Sequence, residues 1–174
     1  MQKGFTLIEL MVTLVVLIVL LGLGIPNFTE WVKKTRIETG TRSLTGALME
    51  ARSEAVSRQT VITLAPADGG WAAGLSMYTD ADTGGNSAYS ASDDTMIKEL
   101  NFSMGGVTVD TVTNADDFIS FNSNGQLNES GSTVEMALCD DRGEEAGALI
   151  TINLVGRTNS RPGTKNNPLT TCTP

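Results

Sequence analysis

From Phe5 to Ile25 the chain is apolar at nearly every position, interrupted only by Thr6, Glu9, Thr13, Gly22 and Gly24. A run of that length matches the twenty or so residues a helix needs to cross the hydrocarbon core of a bilayer. Pro26 stands at its end and predicts a kink if the helix resumes. It does resume by pattern. Ile37, Leu44, Leu48, Ala51 and Ala55 recur at spacings of seven, four, three and four, which marks one buried stripe of an amphipathic helix. A helix from Phe5 to Gln59 would be on the order of 80 Å long. Gly22, Gly24 and Pro26 are poor helix formers, so the join between its halves is predicted to bend or unwind locally.

After Gln59 the period shortens to two. Thr60–Leu64, Leu75–Tyr78, Ile97–Phe102, Val107–Val109, Phe118–Phe121, Val134–Leu138 and Ala148–Leu154 read as strands. Asp68-Gly69-Gly70, Thr83-Gly84-Gly85-Asn86, Gly105-Gly106 and Asn124-Gly125 supply turns between them. The expected fold is α+β, one long amino-terminal helix packed on an antiparallel β-sheet head.

Glu9 changes how the apolar run is read. A carboxylate inside a bilayer-length segment costs at least about 2.5 kcal/mol, so it needs a partner or a task. The flank Met1-Gln2-Lys3-Gly4 is short and carries one positive charge. No small-x-small cleavage site of a secretory signal follows the apolar core.

Charge is unevenly placed. The net value is −8, but residues 26–59 hold six basic and four acidic side chains, while residues 60–145 hold two and fifteen. Beyond Glu145 there are only Arg157, Arg161 and Lys165, with no acid. That gives an acidic body followed by a small basic tail. Cys139 and Cys172 are the whole thiol inventory. Behind an export-type segment a disulfide is the default reading, pinning the tail to the head. Its loop of about 34 residues corresponds to roughly 3–4 kcal/mol on the chain-entropy estimate.

With no histidine and no nucleophile or carboxylate pair at catalytic spacing, neither enzyme chemistry nor a cofactor is expected. Asp80, Asp82 and Gly85 resemble the opening of a calcium loop, with Asn86, Asp93 and Asp94 nearby. Ala91 stands where an EF-hand places its bidentate glutamate, so a polar turn is the simpler reading and no metal is expected.

The stretch Gly4-Phe5-Thr6-Leu7-Ile8-Glu9-Leu10 with its apolar continuation resembles the signal of the type IV pilin and pseudopilin superfamily. The resemblance implies a leader, residues 1–4, removed by a prepilin peptidase between Gly4 and Phe5, followed by N-methylation of Phe5. Residues 5–25 would form the transmembrane and filament-core helix, 26–59 its amphipathic half, and 60–174 the head with a disulfide-pinned tail. Glu9 would pair with the amino terminus of a neighbouring subunit during assembly.

Further along stand Ala51-Arg52-Ser53-Glu54-Ala55-Val56, Trp71, Gly74–Tyr78, Asp80–Gly84, Phe121-Asn122-Ser123-Asn124-Gly125, Leu138-Cys139-Asp140-Asp141-Arg142-Gly143 and Val155-Gly156-Arg157. Together they resemble the GspH/FimT family of minor pilins and pseudopilins, and the cysteine pair resembles its FimU-type members. The implied function is a minor type IV pilin that helps initiate the pilus and sits in a tip complex. Its partners would be other minor pilins and the major pilin, reached through the helix. It would sit in the inner membrane with a periplasmic head before joining the fibre. Two alternatives follow from the same family. One is a FimT-like pilin that binds DNA through Arg157, Arg161 and Lys165 in natural transformation, although the second arginine lies two positions later than in the Gly-Arg-x-Arg pattern. The other is a GspH-like pseudopilin of type II secretion.

Overall fold

The structure is a computed structural model of the 174-residue chain. It describes residues 4–80, 88–102, 104–113, 118–128, 133–169 and 172, with the backbone alone for 23–27 and 112–113.

One helix, α1, runs from Leu7 to Arg58. Its start is set by Thr6, whose Oγ1 accepts the Glu9 amide at 3.3 Å. Thr6-Leu7-Ile8-Glu9 has capping-box spacing, so the hydroxyl satisfies an amide that has no partner within the helix. Its end is set by Gln59, which takes the left-handed conformation (φ 54°) while the Thr60 amide closes back onto the Ala55 carbonyl. That closure is a Schellman-type stop, and the left-handed position is one that glycine fills at least cost.

The backbone stays helical through Gly22, Gly24 and Pro26. Pro26 has no amide hydrogen for the Gly22 carbonyl, so one bond of the ladder is lost without ending the helix. The weakness predicted there is therefore not expressed as a break.

Two compact units divide the chain, residues 1–35 and 36–174. In the first, every side chain from Phe5 to Leu21 is exposed, whichever way it points around the helix. Among the described residues no helix is long and apolar enough to cross a membrane. Side chains of the apolar run are described only as far as Gly22, short of its Ile25 end.

Among the described residues the second unit holds eight strands in two four-stranded sheets. The first sheet orders β3 (Thr95–Asn101), β2 (Gly70–Thr79), β1 (Ile62–Ala67) and β5 (Ile119–Phe121). The second orders β4 (Thr108–Thr113), β6 (Val134–Cys139), β7 (Ala148–Ile152) and β8 (Thr158–Pro162). All pairings are antiparallel, with Ile62 opposite Phe121 and Met136 opposite Ile150.

The helix stripe predicted from spacing is the buried one. Ile37, Leu44, Leu48, Ala51 and Ala55 are all at most 4% exposed. They share one core with Leu64, Met77 and Phe121 of the first sheet and with Met136, Leu138 and Ile150 of the second. Gly40 lets the helix come close, since a Cβ there would press on Met104 and Leu138. The antiparallel α+β head is as expected, although it is built as two sheets rather than one.

One strand was not among those expected. Residues 158–162 form β8 at the edge of the second sheet. Thr-Asn-Ser-Arg-Pro carries no alternating apolar signal because an edge strand needs few buried side chains, and Pro162 is tolerated at its end.

Candidate functional site

Gly4 and Phe5 precede the helix in exposed, irregular backbone. Glu9 lies in the first turn, where a carboxylate favours the positive end of the helix dipole. No described residue pairs with its side chain. The surrounding large apolar side chains stay uncovered, from 76% exposure at Leu7 to 50% at Leu14. Fully burying a side chain of this size is worth about 1.5–3 kcal/mol, so the arm as a whole has a strong drive towards a lipid or protein partner.

In the second unit three separate stretches meet. Arg52 on α1 donates from Nε to the Gly125 carbonyl at 2.8 Å. Gly125 belongs to a turn held by Asn122, whose Oδ1 accepts the amides of Asn124 and Gln126 at 2.9 and 3.1 Å. Gly156 packs against the same carbonyl and the Arg52 side chain, and a Cβ there would collide with Gly125. Both glycines have positive φ, 71° and 74°, so their freedom is used twice, for turn and for contact. The Leu127 amide also reaches the Leu154 carbonyl at 3.1 Å. Arg52, Gly125 and Gly156 thus form a clasp between helix, turn and β7–β8 hairpin, which sequence reading located as separate motifs but could not join.

The three carboxy-terminal cations sit along one edge. Arg157 is exposed in the hairpin just before β8, its amide held by Asn153 Oδ1 at 2.8 Å. Arg161 is half-buried on β8 opposite Leu149, with Nη1 at 3.4 Å from the Asn167 carbonyl. Lys165 is exposed in the turn closed by Thr164 and Asn167. Arg157 and Arg161 are four positions apart, about 13 Å along extended backbone. The cations make a line, not a cluster.

Cys139 and Cys172 are bonded. With Ala137, Leu149 and Leu169 they form a small second core on the outer face of the second sheet. Beside it Asp140, 3% exposed in its side chain, takes a two-pronged contact from Arg142 with the closest pair at 2.6 Å. Gly143 turns the chain there with φ 77°. The Cys-Asp-Asp-Arg-Gly stretch is thus a braced turn next to the disulfide.

Of the calcium-like residues, Asp82, Gly85 and Asn86 lie outside the described residues. Asp80 is buried and accepts from Thr63 Oγ1 at 3.1 Å, and Thr63 in turn lies 3.0 Å from Ser120. Asp94 accepts the Ser90 amide at 2.8 Å. Burial, followed by the nearby carboxylates of Asp80 and Asp94, pushes the Tyr78 hydroxyl above the usual tyrosine range. Tyr89 packs edge-on against the Tyr78 ring at 5.4 Å. Among the described residues no group of three or more carboxylates or thiols could hold a metal.

Two families match this chain. Residues 1–25 match the prokaryotic N-terminal methylation motif. Residues 40–156 match the family described as type II transport protein GspH, a span that contains the clasp from Arg52 to Gly156. The chain belongs to the GspH family. No curated protein matches it.

Among solved structures it is similar to the type IV minor pilin FimU of Pseudomonas aeruginosa in two crystal forms. One is 23% identical, with 82% of this chain and 99% of that one covered and a TM-score of 0.64. The other is 22% identical, covering 78% and 99% with a TM-score of 0.62. These likenesses establish the fold. The minor pseudopilin EpsH of Vibrio cholerae is more remote, at 13% identity over 73% and 97% of the two chains and a TM-score of 0.48.

Proposed function

We propose that this GspH-family protein is a minor type IV pilin, a structural subunit that helps initiate the pilus and sits in its tip complex. The observation that carries the reading is the arm: a methylation motif followed by a helix whose apolar side chains are exposed all round, with Glu9 the one acid among them. On this reading residues 1–4 are removed between Gly4 and Phe5, and Phe5 is N-methylated. The arm rests in the inner membrane with the head in the periplasm. On extraction it packs against the helices of other minor pilins and the major pilin. Glu9 meets the amino-terminal ammonium of a neighbour, which neutralises its charge and sets the axial register.

The test is the quantity of pili sheared from cells lacking the gene, with complementation. The intact gene should restore piliation and Glu9→Ala should not, although the variant still fractionates with the membrane. Normal piliation without the gene would defeat the reading. If secretion of folded substrates failed in those cells instead, the family's pseudopilin role would take its place.

DNA binding through Arg157, Arg161 and Lys165 is the second reading. What supports it is that Arg161 lies on strand β8, with Arg157 in the hairpin just before it. Each phosphate contact adds a modest, salt-sensitive increment, and the acidic body between residues 60 and 145 opposes approach. Loss of DNA retention at low salt in an Arg157→Ala, Arg161→Ala variant would support it, and unchanged retention would remove it.

A further inference from the structure

Alongside the clasp runs a groove of about 510 Å³, within the range of ordinary ligand pockets. One wall is α1, which contributes Met49, Arg52 and Val56. The other is the β7–β8 hairpin, which contributes Gly156, Arg157 and Thr158. Met49 and Val56 are 57% and 49% exposed, unusual for apolar side chains on the half of α1 that packs a core. Arg52 uses Nε on Gly125, which leaves its terminal nitrogens for the groove. No described residue pairs with the Arg157 guanidinium; the residue is anchored through its backbone, the amide donating to Asn153 Oδ1 and the carbonyl accepting from the Asn153 amide. Thr158 is 8% exposed, and its hydroxyl is buried at the wall without a partner.

Two arginines beside an aliphatic floor define what fits. Guanidinium groups are matched by carboxylates, which they can bind two-pronged. The floor wants an aliphatic side chain. Nucleic acid is a poor match, because no aromatic residue lines the groove for a base to stack on. The head itself shows what a pilin-type neighbour can offer, since its residues 60–145 carry fifteen acids against two bases. We propose that this groove docks an acidic segment with an aliphatic anchor, presented by the head of a neighbouring pilin-type subunit. The inference rests on the reading that the chain assembles with other pilins. It adds a second contact, made by the head, to the one made by the apolar arm.

The experiment uses the full-length chain in piliated cells, with Ser57 at the groove replaced by a photo-crosslinking amino acid. The expected product is a crosslink to a protein bearing an N-terminal methylation motif, within a peptide that contains Asp or Glu. Arg157→Glu should cut its yield by about tenfold, roughly what one charge-assisted hydrogen bond supplies. Arg157→Lys should retain most of it. An unaltered melting temperature for Arg157→Glu shows that the loss is not unfolding, and Arg157→Gln repeats the test without a reversed charge. A crosslink indifferent to both changes, one to lipid or nucleic acid alone, or none at all would overturn the proposal. Pili sheared from the same cells separate the two failures. If pili form without the gene, the assembly reading falls; if they need it but no pilin crosslinks, only the groove inference falls.

Discussion

Leu14 and Leu48 lie in the same continuous helix, yet Leu14 is 50% exposed and Leu48 is 1%. Around Leu14 the apolar positions fill the whole circumference, so no single face of the chain's own making could cover them. Around Leu48 they follow one stripe, and the two sheets cover that stripe. The second half of the helix finds its partner in its own chain and the first half does not. Local stability therefore belongs to one half and association to the other.

The largest expected effect tests that division. Leu48→Ala should destabilise the head by about 2–5 kcal/mol, seen as a lower denaturant midpoint in detergent. Leu14→Ala should leave that midpoint unchanged. Equal losses would show that the two halves share one cooperative unit.

Next in size is the disulfide. Reduction, or Cys139→Ser with Cys172→Ser, should cost the head about 3–4 kcal/mol in chemical denaturation without altering membrane association of the arm. A reduced head as stable as the oxidised one would mean that Leu169 alone holds the segment.

A smaller effect is confined to alkaline solution. Folded Tyr78 stays protonated to a higher pH than an unfolded tyrosine, whose pKa is about 10. The unfolded chain therefore gives up this proton first. The stabilisation is fully present below that value and is lost as pH rises towards the folded pKa. Tyrosinate absorbance of the folded chain should show Tyr78 ionising late or only on unfolding. Ordinary titration of Tyr78 would contradict its burial.

The smallest expected change is a gain. Gln59→Gly relieves the left-handed stop of α1 and should add about 1 kcal/mol to head stability. No change in melting would show that Gln59 adopts that conformation without strain.

The long helix and its buried stripe were legible because one face of the repeat is apolar and the core covers that same face. Most strands were legible from β-branched and apolar runs between glycine turns. Strand β8 was not, since Thr158, Asn159, Ser160, Arg161 and Pro162 take their conformation from pairing with β7 rather than from their own preferences. The division into two sheets also leaves no local mark. Thr6 and Glu9 have the spacing of a capping pair, a signal that the sequence does carry. The clasp could not be read at all: Arg52 and Gly125 stand 73 positions apart, and only folding joins them.

The second sheet turns its main apolar face to the helix and carries a small apolar patch on the other. That patch, Ala137 with Leu149, packs with Leu169 and the Cys139–Cys172 disulfide. A thiol pair in a reducing cytoplasm leaves that patch unlatched, and an oxidising compartment closes it. The redox state of the surroundings thus decides whether this patch is held shut by a covalent bond or by packing alone.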